Sequence, residues 1–169
     1  MEHINEEWKL INGYEFYSVS NYGRVRNDKT HRILKACIDG SGYYHVVLYK
    51  DKKSKSMNVH RLVANTFIDN PEGKRCIDHI NNDRLDNKVA NLRYATYTEN
   101  QQNALMRKDN TSNVKGVYFE KNAKKWRAQI TIDGIQIHLG YFKNIEDAKK
   151  ARIDKVNEAF GVYKNACEQ

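Results

Sequence analysis

The chain has 169 residues, of which 40% are hydrophobic and 30% are charged, and its mean hydropathy is −0.85. Lys and Arg outnumber Asp and Glu by 29 to 21, which gives a formal net charge of +8 and a pI near 9.3. This balance suits a polyanionic partner, because basic side chains neutralise phosphates, although a merely basic surface has the same charge. The composition excludes membrane spans, since no apolar run is long enough.

The cysteines and the N-terminus indicate the compartment. Cys37, Cys76 and Cys167 lie far apart and form no CxxC pair, which argues against a disulfide scaffold or a structural zinc site. The first residues, Met-Glu-His-Ile-Asn, lack the basic and apolar regions of a signal peptide. We therefore expect a soluble cytoplasmic protein.

The first 56 residues predict a β-rich region. Aromatic and β-branched runs alternate with turn signals such as Asn12-Gly13 and Asp39–Gly42. A charged hairpin tip is expected at Lys50–Lys55. The predicted strands are Tyr14–Val19, Gly23–Arg26, Tyr43–Tyr49 and Ser56–Val59.

Residues 57–106 predict a helix, two strands and a second helix. His60, Val63, Ala64 and Phe67 recur at helical spacing, and Pro71 follows this helix. The later elements are two short strands, Cys76–Ile80 and Leu92–Thr96, around the polar loop Asn81–Asn91, and a helix Glu99–Met106 capped by Thr98.

Residues 107–113 contain no apolar side chain and predict a linker before a module at 114–163. The module has three predicted strands, Val114–Glu120, Lys125–Ile132 and Ile135–Phe142, with the turn Asp133-Gly134 between the last two. Asn144 is expected to cap a helix that ends at Gly161. The apolar face of this helix is predicted to consist of Ile145, Ala148, Ala151, Val156, Ala159 and Phe160.

The residues with catalytic potential concentrate at Asp78-His79 and the following twenty positions. Hydrolysis of a phosphodiester needs a base to activate water and a divalent cation to stabilise charge. Histidine titrates near neutrality, and Mg²⁺ prefers oxygen ligands such as the carboxylate of Asp78 and the amide of Asn100. Asn91 could hold the loop through backbone hydrogen bonds. Alternatively, these are ordinary loop residues, and Asp86-Asn87 is a turn former.

A longer stretch of sequence favours the catalytic interpretation. In order and spacing, residues 57–103 resemble the HNH endonucleases of phage introns, whose catalytic region is a ββα-metal fold. The segments that carry the resemblance are Val59–Phe67, Ile77–Asn81, Asn91–Thr96 and Glu99–Asn103.

The resemblance implies a role for each matching position. Asp78 and Asn100 would bind one divalent metal, Mg²⁺ or Mn²⁺, and His79 would be the general base. Asn91 would be the middle asparagine, which orients the loop and the histidine. Two departures, Asn81-Asn82 in place of Asp-Gly and Tyr94 in place of Trp, remove no catalytic group.

Two further residues keep alternatives open. Arg93 either contacts the scissile phosphate or is a solvated strand residue. His60 is interpreted as a packing residue at the start of its helix rather than as a metal ligand.

The flanking regions resemble DNA-contacting modules. Glu7–Arg26 is similar to the module that precedes the HNH core in phage homing endonucleases, and Arg24 and Arg26 could follow a DNA backbone. Lys115–Phe119, Lys125–Ile130 and His138–Phe142 resemble the Apetala-type DNA-binding domain of ethylene-response factors, which lays a three-stranded sheet into the major groove.

Alternation indicates which face of this sheet could read DNA. Trp126, Ala128, Ile130 and Ile132 should face the helix, as should Ile135, Ile137 and Leu139. The opposite face would carry the predicted DNA-binding residues Lys115, Tyr118, Arg127, Gln129, Thr131, Gln136 and His138. An antiparallel sheet with one solvated polar face has the same pattern.

The sequence thus predicts an α+β protein with four segments: a β-rich module at 1–56, an HNH core at 57–106, a linker at 107–113 and a sheet-plus-helix module at 114–163. The resemblance implies a site-directed endonuclease encoded by a phage or host genome. It would act on double-stranded DNA as a monomer, nick one strand, leave 5′-phosphate and 3′-hydroxyl ends, and need no small-molecule cofactor. The rival hypothesis is a non-catalytic, sequence-specific DNA-binding regulator on the same scaffold.

Overall fold

A computed structural model of the protein describes residues 5–104 and 110–161, which form an α+β fold of small antiparallel sheets and three α-helices, as predicted. The chain divides into two compact units, Met1–Ala95 and Thr96–Gln169. No helix within the described ranges has the length and apolar character needed to cross a membrane.

The first unit begins with two antiparallel sheets. Strands β1 (Trp8–Ile11), β2 (Tyr14–Ser20), β3 (Val25–Asn27) and β4 (Arg32–Ile33) form the first sheet in that order, and β5 (Cys37–Ile38), β6 (Tyr44–Lys50) and β7 (Lys53–Asn58) form the second. The β6–β7 hairpin is tighter than predicted. Its tip is Asp51-Lys52, and both residues adopt the left-handed φ values of 50° and 62° that a two-residue turn requires.

The HNH-like elements of this unit follow directly. Helix α1 (Val59–Phe67) is followed by Ile68, whose amide donates to the carbonyl of Ala64, and the β8 (Cys76–His79) and β9 (Leu92–Ala95) strands pair antiparallel. A short 3₁₀ turn, Val89–Asn91, leads into β9. The loop between the two strands, residues 80–91, contains Asn91 and the candidate turn formers Asp86 and Asn87.

One hydrophobic core joins the β-sheets of the first unit to its HNH-like elements. Its buried residues extend along the chain from Ile11 in β1 to Leu92 in β9, and they include Val19, Leu48 and Val63, each without measurable exposure. The boundary predicted between residues 56 and 57 falls inside this core. The four-segment division itself stays a prediction.

The second unit contains helix α2 (Tyr97–Asn103), strands β10 (Val117–Glu120), β11 (Lys125–Ile132) and β12 (Ile135–Phe142), and helix α3 (Ile145–Phe160). The three strands form an antiparallel sheet in chain order, and α3 packs against it over two buried clusters. Asn144 caps α3 as predicted, because its side chain accepts a hydrogen bond from the amide of Asp147.

The predicted start of α2 was wrong. Its cap is Thr96 rather than Thr98: the Thr96 hydroxyl accepts from the Glu99 amide at 3.2 Å, and the Glu99 carboxylate accepts from the Thr96 amide at 2.6 Å. This reciprocal capping box begins the helix two residues earlier than predicted. The predicted end at Met106 lies outside the described residues.

The predicted linker also lies partly outside the described residues. Its described end, residues 110–113, is held against the second unit by the buried Ser112, whose hydroxyl oxygen is 2.8 Å from the carbonyl oxygen of Val114 and 2.7 Å from that of Val117.

Two burial predictions in the second unit were also wrong. Ile135 is 68% exposed because it adjoins the turn Asp133-Gly134 at the hairpin tip. In α3, Ala159 is exposed and Arg152 is buried, since Ala148, Arg152, Val156 and Phe160 follow the four-residue spacing of a single face. The Arg152 guanidinium donates to the carbonyl of Lys115 at 2.9 Å and to the side chain of Gln102 at 3.3 Å.

Candidate active site

Asp78 and His79 lie side by side at the end of β8, and both are buried. Asp78 is 3% exposed and His79 is 6% exposed. Because successive side chains of a strand point to opposite faces, the two residues enter different surroundings and have different partners.

The carboxylate of Asp78 pairs with Arg93. The two residues are directly opposed across the β8–β9 pair, and Arg93 Nε donates to Asp78 Oδ2 at 2.8 Å. The Arg93 side chain is only 17% exposed, so it is not the solvated strand residue of the second alternative. The buried carboxylate thus has a cationic neighbour that balances its charge.

The imidazole of His79 is enclosed by two aromatic rings and one amide. Its Nε2 lies 3.0 Å from Oδ1 of Asn87, which is 4% exposed. The ring centroid of His60 is 5.3 Å away at an interplanar angle of 66°, and that of Tyr43 is 5.8 Å away at 32°. These contacts restrict the orientation of the catalytic candidate.

His60 occupies the packing position that the sequence analysis gave it. It is 6% exposed and packs against the Tyr43 ring with a centroid separation of 4.7 Å and an interplanar angle of 46°. Burial, reinforced by the neighbouring His79 and Arg61, lowers the pKa of His60 to about 4. The ring is therefore neutral at physiological pH, and it adds no positive charge beside His79.

Asn91 closes the loop between β8 and β9. Its Oδ1 accepts from the amide of Asn81 at 3.0 Å, and its Nδ2 donates to Asn81 Oδ1 at 2.9 Å and to the carbonyl of Asp86 at 2.8 Å. The carbonyl of Asn91 also accepts from the amide of Ile80 at 2.9 Å. This geometry is consistent with the loop-holding role, which stays a prediction.

Asn100 lies on α2 in the second unit, where its side chain is half-buried. Its backbone amide donates to the carbonyl of Thr96. Its predicted role as a metal ligand together with Asp78 rests on the resemblance alone and stays a prediction.

The sheet of the second unit brings most of its predicted DNA-binding residues onto one face. Cross-strand pairs join Tyr118 to Arg127, Gln129 to His138 and Thr131 to Gln136. The Tyr118 hydroxyl donates to Gln129 Oε1 at 3.3 Å, and the Arg127 guanidinium lies 5.7 Å from the centre of the Tyr118 ring. The face opposite to α3 is therefore polar and partly solvated.

Three predicted DNA contacts have intramolecular partners. Lys115 lies outside the strands, and its ammonium donates to the carbonyl of Gln102 at 2.8 Å. Arg24 pairs with Glu6, and Arg26 donates from Nε to Asp28 at 2.8 Å while its guanidinium stacks 4.5 Å from the centre of the Trp8 ring. Their contacts with DNA stay predictions.

The sequence analysis missed three residues of these surfaces. Tyr43 and Asn87 surround His79, and Tyr141 is the cross-strand partner of Arg127, with its ring 4.8 Å from that of His138. Asn87 stood among apparent turn formers, and no spacing rule singled it out. Tyr141 could have been found from strand pairing if the bulge between Ala128 and Gln129 had been anticipated.

Comparison with known proteins identifies the class of protein. The NUMOD4 motif matches residues 6–49, and the HNH endonuclease family matches residues 58–102. The chain is 38% identical over 132 residues to the DNA endonuclease I-HmuI of Bacillus phage SP01, which covers 77% of this chain and 75% of that protein. The chain belongs to the HNH endonuclease family, which confirms the resemblance of the central region.

The chain is also similar to parts of two longer viral proteins. An uncharacterized HNH endonuclease of Acanthamoeba polyphaga mimivirus is 45% identical over 106 residues, which are 60% of this chain and 26% of that protein. A second from the same virus is 35% identical over 115 residues, or 68% of this chain. The chain spans only 26% and 33% of the length of these two relatives.

A solved structure shares the fold. The structure described as "DNA binding and cleavage by the HNH homing endonuclease I-HmuI" aligns with a TM-score of 0.55 at 31% identity and covers 89% of this chain and 83% of that chain. The predicted mixed fold of small sheets and helices is thus confirmed.

Proposed function

We propose that this protein is a site-directed DNA endonuclease of the homing-endonuclease type, with His79 as its general base. One observation carries the proposal: the adjacent Asp78 and His79 are both buried, and each has its own polar partner. Two groups held separately can perform separate tasks, metal binding and proton transfer. Membership of the HNH endonuclease family supports the same assignment.

In the proposed reaction His79 removes a proton from a water molecule, and the resulting hydroxide attacks the phosphorus of a phosphodiester. The bond from phosphorus to the 3′ oxygen breaks, and the departing oxygen takes a proton from solvent water, which leaves a 5′-phosphate and a 3′-hydroxyl end. Asn91 keeps the loop beside His79 in place. Arg93, which pairs with Asp78, is proposed to contact the scissile phosphate when DNA is bound.

A hard divalent cation fits the residues present. Among residues 5–104 and 110–161, no group of three or more His, Cys, Asp and Glu side chains could hold a metal, so the donor set is small. A single buried carboxylate, Asp78, suits Mg²⁺ or Mn²⁺, which retain several waters when bound. The ion would stabilise charge on the phosphate and on the departing oxygen. Asn100 is the proposed second ligand, by resemblance alone.

We also propose that the polar face of the β10–β12 sheet binds double-stranded DNA. Arg127, Gln129 and His138 can donate to or accept from base edges, and the excess of basic residues in the chain attracts phosphates. The resemblance to the Apetala-type domain supports this role. Arg24 and Arg26 of the N-terminal sheet are proposed to contact the backbone of the same duplex.

A single active centre would nick one strand for each binding event, and the proposed enzyme acts as a monomer. The HNH endonuclease match occupies residues 58–102 once in the chain. Cleavage of both strands would then need a second binding event.

The test is a nicking assay on supercoiled plasmids that carry candidate target sequences. We expect nicked circles with Mg²⁺, none with EDTA, and a loss of about 10²–10⁴-fold in rate for His79→Ala, because a general base contributes a factor of that size. DNA affinity, measured by fluorescence anisotropy, should change less than about twofold, since the base contacts water and not the duplex.

His31→Asn is the matched control. His31 is exposed and has a φ of 56°, which Asn tolerates, so nicking should continue at the wild-type rate. Unchanged nicking by His79→Ala would overturn the assignment of the base. Binding without metal-dependent nicking in the wild-type protein would support the regulator instead.

A further inference from the structure

Asn87 is a buried polar residue that the proposed reaction does not use, yet its side chain contacts the proposed base. We propose that Asn87 is a positioning residue, which keeps the proton of the His79 ring on Nε2 and the lone pair on Nδ1. The proposal rests on the proposed function, because it concerns the nitrogen through which His79 accepts a proton from water.

The orientation of the Asn87 amide follows from its two contacts. Asn87 Nδ2 donates to the backbone carbonyl of Leu85 at 3.3 Å, so Oδ1 is the atom that faces His79 Nε2 at 3.0 Å. An amide oxygen accepts and cannot donate a hydrogen bond, and Nε2 must therefore carry a proton. A neutral imidazole has one N–H, which makes Nδ1 the basic nitrogen of His79.

The position of Asn87 is set by the N-terminal sheet region. Gly23 adopts a φ of 79° in the turn after β2, and a Cβ at that position would lie 3.0 Å from both Cβ and the carbonyl oxygen of Asn87. The amide of Val89 donates to the carbonyl of Asn21, in the same turn, at 2.9 Å. The turn thus packs directly against the segment that carries Asn87, and any larger side chain at Gly23 would displace it.

The aromatic neighbours explain why the amide matters. His60 and Tyr43 pack against the His79 ring and limit its tilt, but a ring contact does not distinguish Nδ1 from Nε2. The Asn87 oxygen does distinguish them, because it can only accept a hydrogen bond and lies 3.0 Å from Nε2. Its loss would remove a contact that favours the tautomer with the proton on Nε2.

The experiment compares the wild-type protein with Asn87→Ala and with Asn87→Asp, a side chain of equal length that keeps an acceptor oxygen. The tautomer of His79 is measured from its ring nitrogen-15 chemical shifts, recorded over a pH series so that the neutral form of the ring is identified directly. Nicking rate, DNA affinity and thermal unfolding are measured on the same samples.

We expect the wild-type ring to be protonated on Nε2 and the Asn87→Ala ring to be a mixture of tautomers. Nicking by Asn87→Ala should fall by about 10²-fold, since a histidine base in the wrong tautomer loses on the order of 10²–10⁴-fold in rate. DNA affinity should stay within about twofold. Asn87→Asp should restore the Nε2–H form and return the rate to within about tenfold of the wild type.

Two results would overturn the proposal, and both differ from failure of the proposed function. One is a wild-type His79 with its proton on Nδ1, which needs no variant to fold. The other is wild-type nicking by Asn87→Ala in a protein that His79→Ala inactivates. If His79→Ala retains activity instead, the general base is misassigned and the inference fails with it.

Discussion

The two units of the chain both combine antiparallel sheets with helices, but they use their polar residues differently. In the first unit, Asp78 and His79 are buried beside a core that continues through the N-terminal strands, and each depends on a neighbour for its orientation. In the second unit, the sheet buries one face under α3 and leaves polar side chains on the other.

This difference predicts how each unit responds to change. A catalytic group in a buried network is disturbed by substitutions in the packing around it, because buried polar groups must keep their hydrogen bonds. Side chains on a solvated sheet face can be exchanged with little effect on stability, since few packing contacts are lost. Cleavage should therefore be sensitive to the core of the first unit, and DNA affinity to the surface of the second.

The largest expected effect comes from cutting the first core at the predicted domain boundary. A fragment of residues 57–106 lacks Ile11, Tyr17, Val19, Val25, Val46 and Leu48, which are six of the ten buried residues in the core cluster that runs from Ile11 to Leu92. So short a chain with so little of its core should not fold. Circular dichroism should show no cooperative thermal transition, whereas the fragment of residues 1–95 should show one. A cooperative transition in the shorter fragment would mean that the HNH core is autonomous.

The next effect is smaller and tests the continuity of the same core. Leu48 in β6 is fully buried, and Leu48→Ala should lower the free energy of unfolding by about 3 kcal/mol through lost contacts and a cavity. Amide hydrogen exchange in β8 and β9 should accelerate by about 10²-fold, because those strands share the core. The matched control is Val47→Ala, at a position that is 44% exposed, which should change the free energy by less than about 0.5 kcal/mol. Unchanged hydrogen exchange in β8 and β9 of Leu48→Ala would mean that these strands are stable independently of the core around Leu48.

The regular parts of both units could be predicted from the sequence. Alternation of apolar and polar residues predicted β11 and β12 to the residue, and helical spacing predicted α1 within one residue, because these periods are local properties of the chain. The Asp78-His79 pair and the loop asparagine Asn91 were selected through the resemblance to HNH endonucleases, and their roles stay predictions. The cap of α2 also depends on neighbouring residues alone, but the prediction chose Thr98 where the structure has Thr96.

The parts of the fold and of the candidate site that could not be predicted depend on contacts between residues distant in the chain. The approach of Gly23 to Asn87, and of Asn87 to His79, joins three segments that no local pattern connects. The bulge between Ala128 and Gln129 changes which β12 residues face inward, so that Leu139 and Phe142 both pack on the core. A strand of strict period two cannot place both on one face, and the exposure of Tyr141 was missed for the same reason.

The proposed role of the polar sheet face of the second unit in DNA binding is tested at Arg127. Arg127→Ala should weaken binding to duplex DNA about tenfold at fixed salt, since a good contact with a base contributes about 1–3 kcal/mol. Lys150→Ala removes one exposed positive charge from α3, on the other side of the sheet, and should weaken binding less than about twofold. Equal losses in the two variants, measured by fluorescence anisotropy, would indicate that net charge and not the sheet face determines affinity.

The smallest effect concerns His60 and the pH dependence of stability. The folded state lowers the pKa of His60 to about 4, whereas the unfolded side chain titrates near 6.5. As the pH falls below 6.5 the unfolded state takes up a proton that the folded state does not, so the free energy of unfolding decreases until the pH reaches about 4. Because part of the lowering comes from the neighbouring His79 and Arg61, whose electrostatic effect salt screens, we expect a loss of about 1 kcal/mol between pH 7.5 and pH 5.

The measurement is the difference in unfolding free energy between wild type and His60→Gln, taken from urea titrations at both pH values. The part of this difference that is independent of pH reports lost packing against Tyr43 and His79 and is the internal control. The part that varies should favour the variant at low pH by about 1 kcal/mol, since glutamine has no proton to gain. A difference that stays constant with pH would mean that His60 is protonated as readily in the folded state as in the unfolded state. The surroundings of His60 would then be more accessible to solvent than its packing against Tyr43 and His79 implies.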